Sequence, residues 1–160
     1  MSKAFAKLEG RCGCGAIRYA LTAPPLIVHA CHCLDCQRIT GSAFVINVWI
    51  ERRFVEASGA PRSFRLAGGT GKHHDVFFCD TCGTFLWSHY QIAGDALFVR
   101  AGTLDTPHAV RPDVHIFTRS KVPWLRLPEG VPSFPEGYKI EEVWSADSKE
   151  RLRLNASSTT

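Results

Sequence analysis

The sequence predicts a mainly β protein of antiparallel sheets with few short helical turns, and three observations lead there. Short runs rich in Val, Ile, Phe, Tyr and Thr recur between Gly, Pro, Asn and Asp, which is the pattern of strands joined by turns. Apolar spacing of helical period is almost absent. All seven cysteines have a cysteine neighbour two or three positions away, the spacing of metal ligands rather than of small core residues.

The runs at 16–21, 26–30, 43–50, 54–57, 63–66, 75–78, 85–88, 96–101 and 114–118 read as strands. The segment 34–40 lacks strand character and ends at Gly41, so it forms a helical turn that brings Cys36 beside Cys31 and Cys33. Gly68-Gly69-Thr70-Gly71-Lys72 looks like a phosphate loop, but Leu66 stands where the motif needs its first Gly and His73 where it needs Ser or Thr. It reads as a hairpin tip. Residues 123–137 are rich in Pro and Gly and read as an ordered loop held by Trp124 and Phe134. Trp49, Trp87, Trp124 and Trp144 are expected to be core or loop anchors. Residues 1–144 are expected to form a single zinc-binding domain, and the polar stretch 145–160 a flexible C-terminal tail.

The chain has 160 residues, 45% of them hydrophobic and 21% charged, which excludes a disordered or collagen-like protein and leaves little room for a separate nucleotide-binding domain. The net charge of +4 is scattered, so nucleic acid is not demanded. No apolar run approaches the roughly 20 residues that span a bilayer. The first ten residues hold no leader-like apolar stretch, and the expected location is the cytoplasm. In that reducing compartment disulfides are rare, and seven cysteines could not all pair within one chain.

Cys12 with Cys14, and Cys79 with Cys82, each offer two thiolates from one turn, with a glycine after the second cysteine. Two such turns meeting make a closed tetrahedral zinc site that holds the fold. Cys31, Cys33 and Cys36 lie in one short segment without a fourth cysteine, which leaves a second zinc with an open position, the arrangement of a catalytic site. Two zinc ions per chain follow. His32 could close that second site, although its place between two ligands favours an exposed histidine. A centre with three thiolates carries negative charge and suits a soft incoming ligand, so thiol chemistry fits it better than amide hydrolysis.

Arg38, Thr40, Gly41 and Ser42 follow the triad and would either rim the open position or simply cap the helix. Thr40 and Ser42 are the candidates for orienting a substrate. His115 and Lys121 would add a cationic rim. His73-His74 reads as a solvated edge pair, and His89 and His108 as surface residues. No Gly-x-Ser-x-Gly elbow or carboxylate pair stands out, so serine hydrolase and glycosidase chemistry have no support.

Gly10-Arg11-Cys12-Gly13-Cys14-Gly15, Cys31-His32-Cys33-Leu34-Asp35-Cys36 running on to Thr40-Gly41-Ser42, Phe78-Cys79-Asp80-Thr81-Cys82-Gly83, Ala101-Gly102-Thr103-Leu104-Asp105, His115-Ile116 and Pro123-Trp124 together resemble the glutathione-dependent formaldehyde-activating enzyme family, which includes centromere protein V. The resemblance runs from about Gly10 to Pro135. It implies a zinc-bound β-tent fold, with Cys12, Cys14, Cys79 and Cys82 on a structural zinc and Cys31, Cys33 and Cys36 on a catalytic one. It also implies a carbon–sulfur lyase that forms and cleaves S-(hydroxymethyl)glutathione, with a small thiol such as glutathione and an aldehyde as partners. The alternative is a non-catalytic zinc module for protein or nucleic acid. That would need an exposed apolar patch or a basic face, which the scattered Arg52, Arg53, Arg62, Arg65 and Arg119 do not provide. Oligomeric state stays open.

Overall fold

Alternating side chains on short strands give a sheet two faces, and here both faces of the central strands of the larger sheet are covered. The structure, a computed structural model, describes residues 5–68 and 72–157. Its strands are β1 (Leu8–Arg11), β2 (Arg18–Leu21), β3 (Ile27–Cys31), β4 (Val45–Glu51), β5 (Val55–Ser58), β6 (Arg62–Ala67), β7 (His73–Phe78), β8 (Phe85–Tyr90), β9 (Ala96–Arg100) and β10 (Val114–Ile116). They form a three-stranded sheet in the order β1-β2-β5 and a seven-stranded sheet in the order β10-β3-β4-β9-β8-β7-β6. The paired strands run antiparallel, as expected, except that β10 lies parallel to β3.

On one face of the large sheet, Val28, Val48, Ile50, Leu97 and Val99 pack against Ile17, Tyr19 and Leu21 from the small sheet side. Burying each such side chain stabilises the fold by roughly 1.5–3 kcal/mol. On the other face, Ile27, Cys31, Val45, Val114 and Ile116 cluster with Trp144. Strand β1 escapes a pattern search because Leu8-Glu9-Gly10-Arg11 holds a single large apolar residue. Its place is fixed by its partner: Gly10 sits opposite Tyr19, and a Cβ there would lie 2.4 Å from the tyrosine ring carbon Cζ.

The expected helical turn is α1 (Leu34–Thr40), closed by Gly41 in the left-handed region at φ 62. Two further helices are α2 (Ile140–Val143), between the expected loop and tail, and α3 (Ala146–Ser157), within the stretch expected as tail. One ion pair ties α3 to the large sheet. The Glu51 side chain is fully buried, and Arg151 of α3 meets it with Nη2 on Oε2 at 2.6 Å and Nε on Oε1 at 3.1 Å. Asn155 Nδ2 adds a hydrogen bond to the Asp95 carbonyl at 3.1 Å.

Trp87 and Trp144 are buried, and Trp49 packs edge-on to Trp144 at 4.8 Å between centroids. Trp124 departs from the expectation of an anchor: it is 73% exposed, and Phe134 holds that loop instead. The expected hairpin tip at 69–71 lies outside the described residues, although Gly68 N donates to the Lys72 carbonyl at 2.9 Å just beneath it. No helix among the described residues is long and apolar enough to cross a membrane.

Candidate metal centres and active site

The turn between β1 and β2 carries Cys12 and Cys14, and the turn between β7 and β8 carries Cys79 and Cys82. Gly15 and Gly83 take φ of 78 and 71, conformations that a side chain would strain, so each chain reverses tightly after its second cysteine. Cys12 Sγ lies 3.5 Å from Cys14 Sγ, and Cys14 Sγ 3.7 Å from Cys79 Sγ; all four sulfurs fall within 4.8 Å of one another. A tetrahedron of thiolates about 2.3 Å from a central ion has edges of about 3.8 Å, so this donor set fits a metal. Ile17 N donates to Cys12 Sγ at 3.3 Å. The Thr84 hydroxyl, assisted by the amides of Thr84 and Cys14, pulls the Cys82 thiol down to about 5. The cluster ties a hairpin of the small sheet to a hairpin of the large one, as the cysteine spacing anticipated.

The triad forms where β3 runs into α1. Cys31 ends the strand, Cys33 caps the helix and Cys36 lies in its first turn, with Cys36 N donating to Cys33 Sγ at 3.3 Å. The three sulfurs lie within 4.8 Å of one another, and their group holds no fourth His, Cys, Asp or Glu among the described residues. Contacts with Cys31 and Cys36, assisted by the amides of Cys36 and Asp35, push the Cys33 thiol down to about 2, while the same sulfur contacts push Cys31 up. Both clusters could hold a metal ion.

His32 corrects one expectation. It is fully buried rather than exposed, and its Nε2 meets His115 Nδ1 at 3.0 Å, with the rings stacked at 5.3 Å. The side chain turns away from the triad because residue 32 alternates across the strand end from Cys31 and Cys33, and Gln37 Nε2 ties its carbonyl at 2.8 Å. His115 lies in β10 as expected, but it serves this buried pair. Lys121 spends its ammonium on the carbonyls of Val122 at 3.1 Å and Leu125 at 2.5 Å, which closes a loop.

At the C-terminal end of α1 opens a cleft of about 550 Å³ lined by Thr40, Ser42, Phe44, Phe85 and Arg100 among others, with none of the three cysteines in its wall. Ser42 is exposed. The Thr40 hydroxyl donates to the Cys36 carbonyl at 2.7 Å, so it steadies the helix that carries the sulfur. Arg38 lies outward, 3.9 Å from Asp35. The cleft wall and the strands next to it hold the residues that sequence patterns missed. Asn47 and Arg100 are opposite each other on β4 and β9, and Arg100 donates through Nη1 to Asn47 Oδ1 and through Nη2 to Ser88 Oγ at 2.7 Å. His74, expected as half of a solvated pair with His73, is buried while His73 is exposed. It stacks on Tyr90 at 4.4 Å with both ring nitrogens lacking partners. Burial, then the charge of Arg100, hold its pKa below the ordinary value. His89 is partly exposed and His108 exposed.

Three of the scattered arginines are neutralised locally, Arg52 by Asp95, Arg65 by Asp75 and Arg119 by Glu136, and Arg53 lies 3.8 Å from Glu51, whose carboxylate Arg151 already holds.

Residues 7–120 match the model of the family described as glutathione-dependent formaldehyde-activating enzyme. A Halomonas elongata protein that carries this as its provisional name is 26% identical over 129 residues, covering 75% of this chain and 80% of its own. A crystal structure of a Rhodobacter sphaeroides protein aligns with 65% of this chain and 91% of its own, at 21% identity and a TM-score of 0.46.

Proposed function

Because the chain belongs to the glutathione-dependent formaldehyde-activating enzyme family, we propose that it is a zinc-dependent carbon–sulfur lyase acting on adducts of a small thiol and an aldehyde. By family likeness the reaction is the formation and cleavage of S-(hydroxymethyl)glutathione, carried out in the cytoplasm. The observation that supports this most is the triad itself: three clustered sulfurs without a fourth protein ligand among the described residues, with an open cleft at the far end of the helix that carries Cys36.

Cys12, Cys14, Cys79 and Cys82 would hold one zinc ion as a closed structural site, and Cys31, Cys33 and Cys36 a second with a position free for substrate. Zinc bound there supplies Lewis acidity and keeps a thiol sulfur deprotonated at neutral pH. The remaining work falls to the chain. Apolar walls at Phe44 and Phe85 exclude water from the adduct, and the exposed Ser42 hydroxyl orients the aldehyde oxygen. Thr40 acts at one remove, by fixing the turn that carries Cys36. As the C–S bond forms, the carbonyl π pair moves to oxygen and the proton lost by the thiol is restored there from solvent, so no redox partner is required. NMR exchange spectroscopy on glutathione and formaldehyde tests the reading: the zinc-loaded protein accelerates exchange, and an unchanged rate overturns it.

A non-catalytic binding module has one observation in its favour, the exposure of Leu34 at 53% and Trp124 at 73% beside one shallow groove. Salt-dependent DNA binding at physiological ionic strength by a protein that leaves the exchange rate unchanged would favour it.

A further inference from the structure

We infer that Arg100 recognises an anionic group on the thiol substrate, so that the cleft selects thiols carrying a carboxylate close to the sulfur. This rests on the lyase reading above and deepens it.

Arg100 is 4% exposed. Its two Nη atoms donate to neutral acceptors, Asn47 Oδ1 and Ser88 Oγ, and its Nε has no partner. Among the described residues it takes part in no ion pair. A guanidinium stays charged throughout the physiological range, and a buried charge that no carboxylate pairs with is costly, so Arg100 is placed to gain from an anion that enters the cleft.

Two features say where that counter-charge enters. Arg100 lines the cleft, and it is the one charged residue among those that do, set among Ile39, Phe44, Val45, Ile46 and Phe85. The cleft also borders the segment that carries the triad: Val45, paired with Cys31, and Thr40, bonded to the Cys36 carbonyl, both line it with Arg100. A ligand in the cleft therefore meets apolar walls and one cation, bordered by the helix that carries Cys36. Asn47 and Ser88 fix the plane of the guanidinium, which leaves the remaining Nη–H groups to meet a carboxylate.

The test is equilibrium binding of two near-isosteric probes, 3-mercaptopropionate and neutral 3-mercaptopropanamide, to the full zinc-loaded chain by calorimetry. Wild type binds the acid about 10- to 100-fold more tightly than the amide, the range for a charged hydrogen-bonded pair. In Arg100→Met the two probes bind within about threefold of each other, and Arg100→Lys keeps part of the preference because a point charge lacks the fork. Equal binding of both probes by wild type overturns the proposal, as does a preference that survives in Arg100→Met. If Arg100→Met does not fold or loses its metal, Arg100→Lys decides: a preference reduced severalfold supports the role, and an unchanged one overturns it. The readout is independent of turnover. A charge preference without accelerated thiol–aldehyde exchange sinks the lyase reading alone, and accelerated exchange without charge preference sinks this one alone.

Discussion

Replacing Arg151 by Met strands a carboxylate. The Glu51 side chain is fully buried at the end of β4, and both of its oxygens accept from Arg151, whose own Nη1 also reaches the Pro24 carbonyl at 2.9 Å. Removing one partner of a buried pair costs about 3–5 kcal/mol. Arg53 remains 3.8 Å from Glu51 but is half exposed, so it screens little, and α3 can undock to admit water, which caps the loss. The low end, about 3 kcal/mol, is the expected cost, or a melting temperature lower by about 6–12 °C for a chain of this size. Glu51→Gln combined with Arg151→Met removes both charges and should recover at least half of that loss. Urea unfolding followed by far-UV circular dichroism, at fixed free metal, measures both. A loss under about 1 kcal/mol in Arg151→Met, or a double variant no better than the single, would refute the claim that this pair pins α3 to the sheets.

Gly10→Ala forces a methyl group onto Tyr19 and to 2.8 Å from the Thr103 carbonyl; overpacking of this kind costs about 1–3 kcal/mol, visible as a lower thermal midpoint. Cys12→Ser and Cys36→Ser should each reduce bound metal by about one ion per chain in elemental analysis. The first should lower the melting temperature more, because its cluster joins two sheets; equal losses would contradict that assignment. His74 is held neutral by burial and Arg100, so its folded pKa lies below its unfolded one. Its contribution to stability is complete above the unfolded value near 6.5 and is lost as pH falls below it. His74→Phe, which keeps a ring on Tyr90, should therefore lose less stability than wild type between pH 7 and pH 5; parallel melting curves would count against it.

The strands of the large sheet and the seven cysteines were legible because their signals are local. Alternation and turn residues mark β4 or β9 within a few positions, and two- or three-residue spacing marks a thiolate turn. Gly41 stopped α1 where the sequence required. What was illegible depends on partners distant in the chain. Arg100 gains its meaning from Asn47 and Ser88, brought to it by strand register, and His74 is buried by Tyr90 across a hairpin. His32 was misjudged because nothing local announces that His115 covers it. Helix α3 has no apolar stripe to betray it, since it is fastened by charge.

The two sulfur clusters differ in when they can come into being during synthesis. The triad is complete within six consecutive residues, 31–36, so a nascent chain can capture its ion as soon as that segment leaves the ribosome. The tetrad must wait for Cys82, and closing the 65-residue separation between Cys14 and Cys79 costs about 2 kcal/mol more in loop entropy than closing the triad. On the proposed assignment, ion loading would have a built-in sequence: the centre proposed for chemistry would fill first and locally, and the one proposed for architecture last, as the two sheets dock.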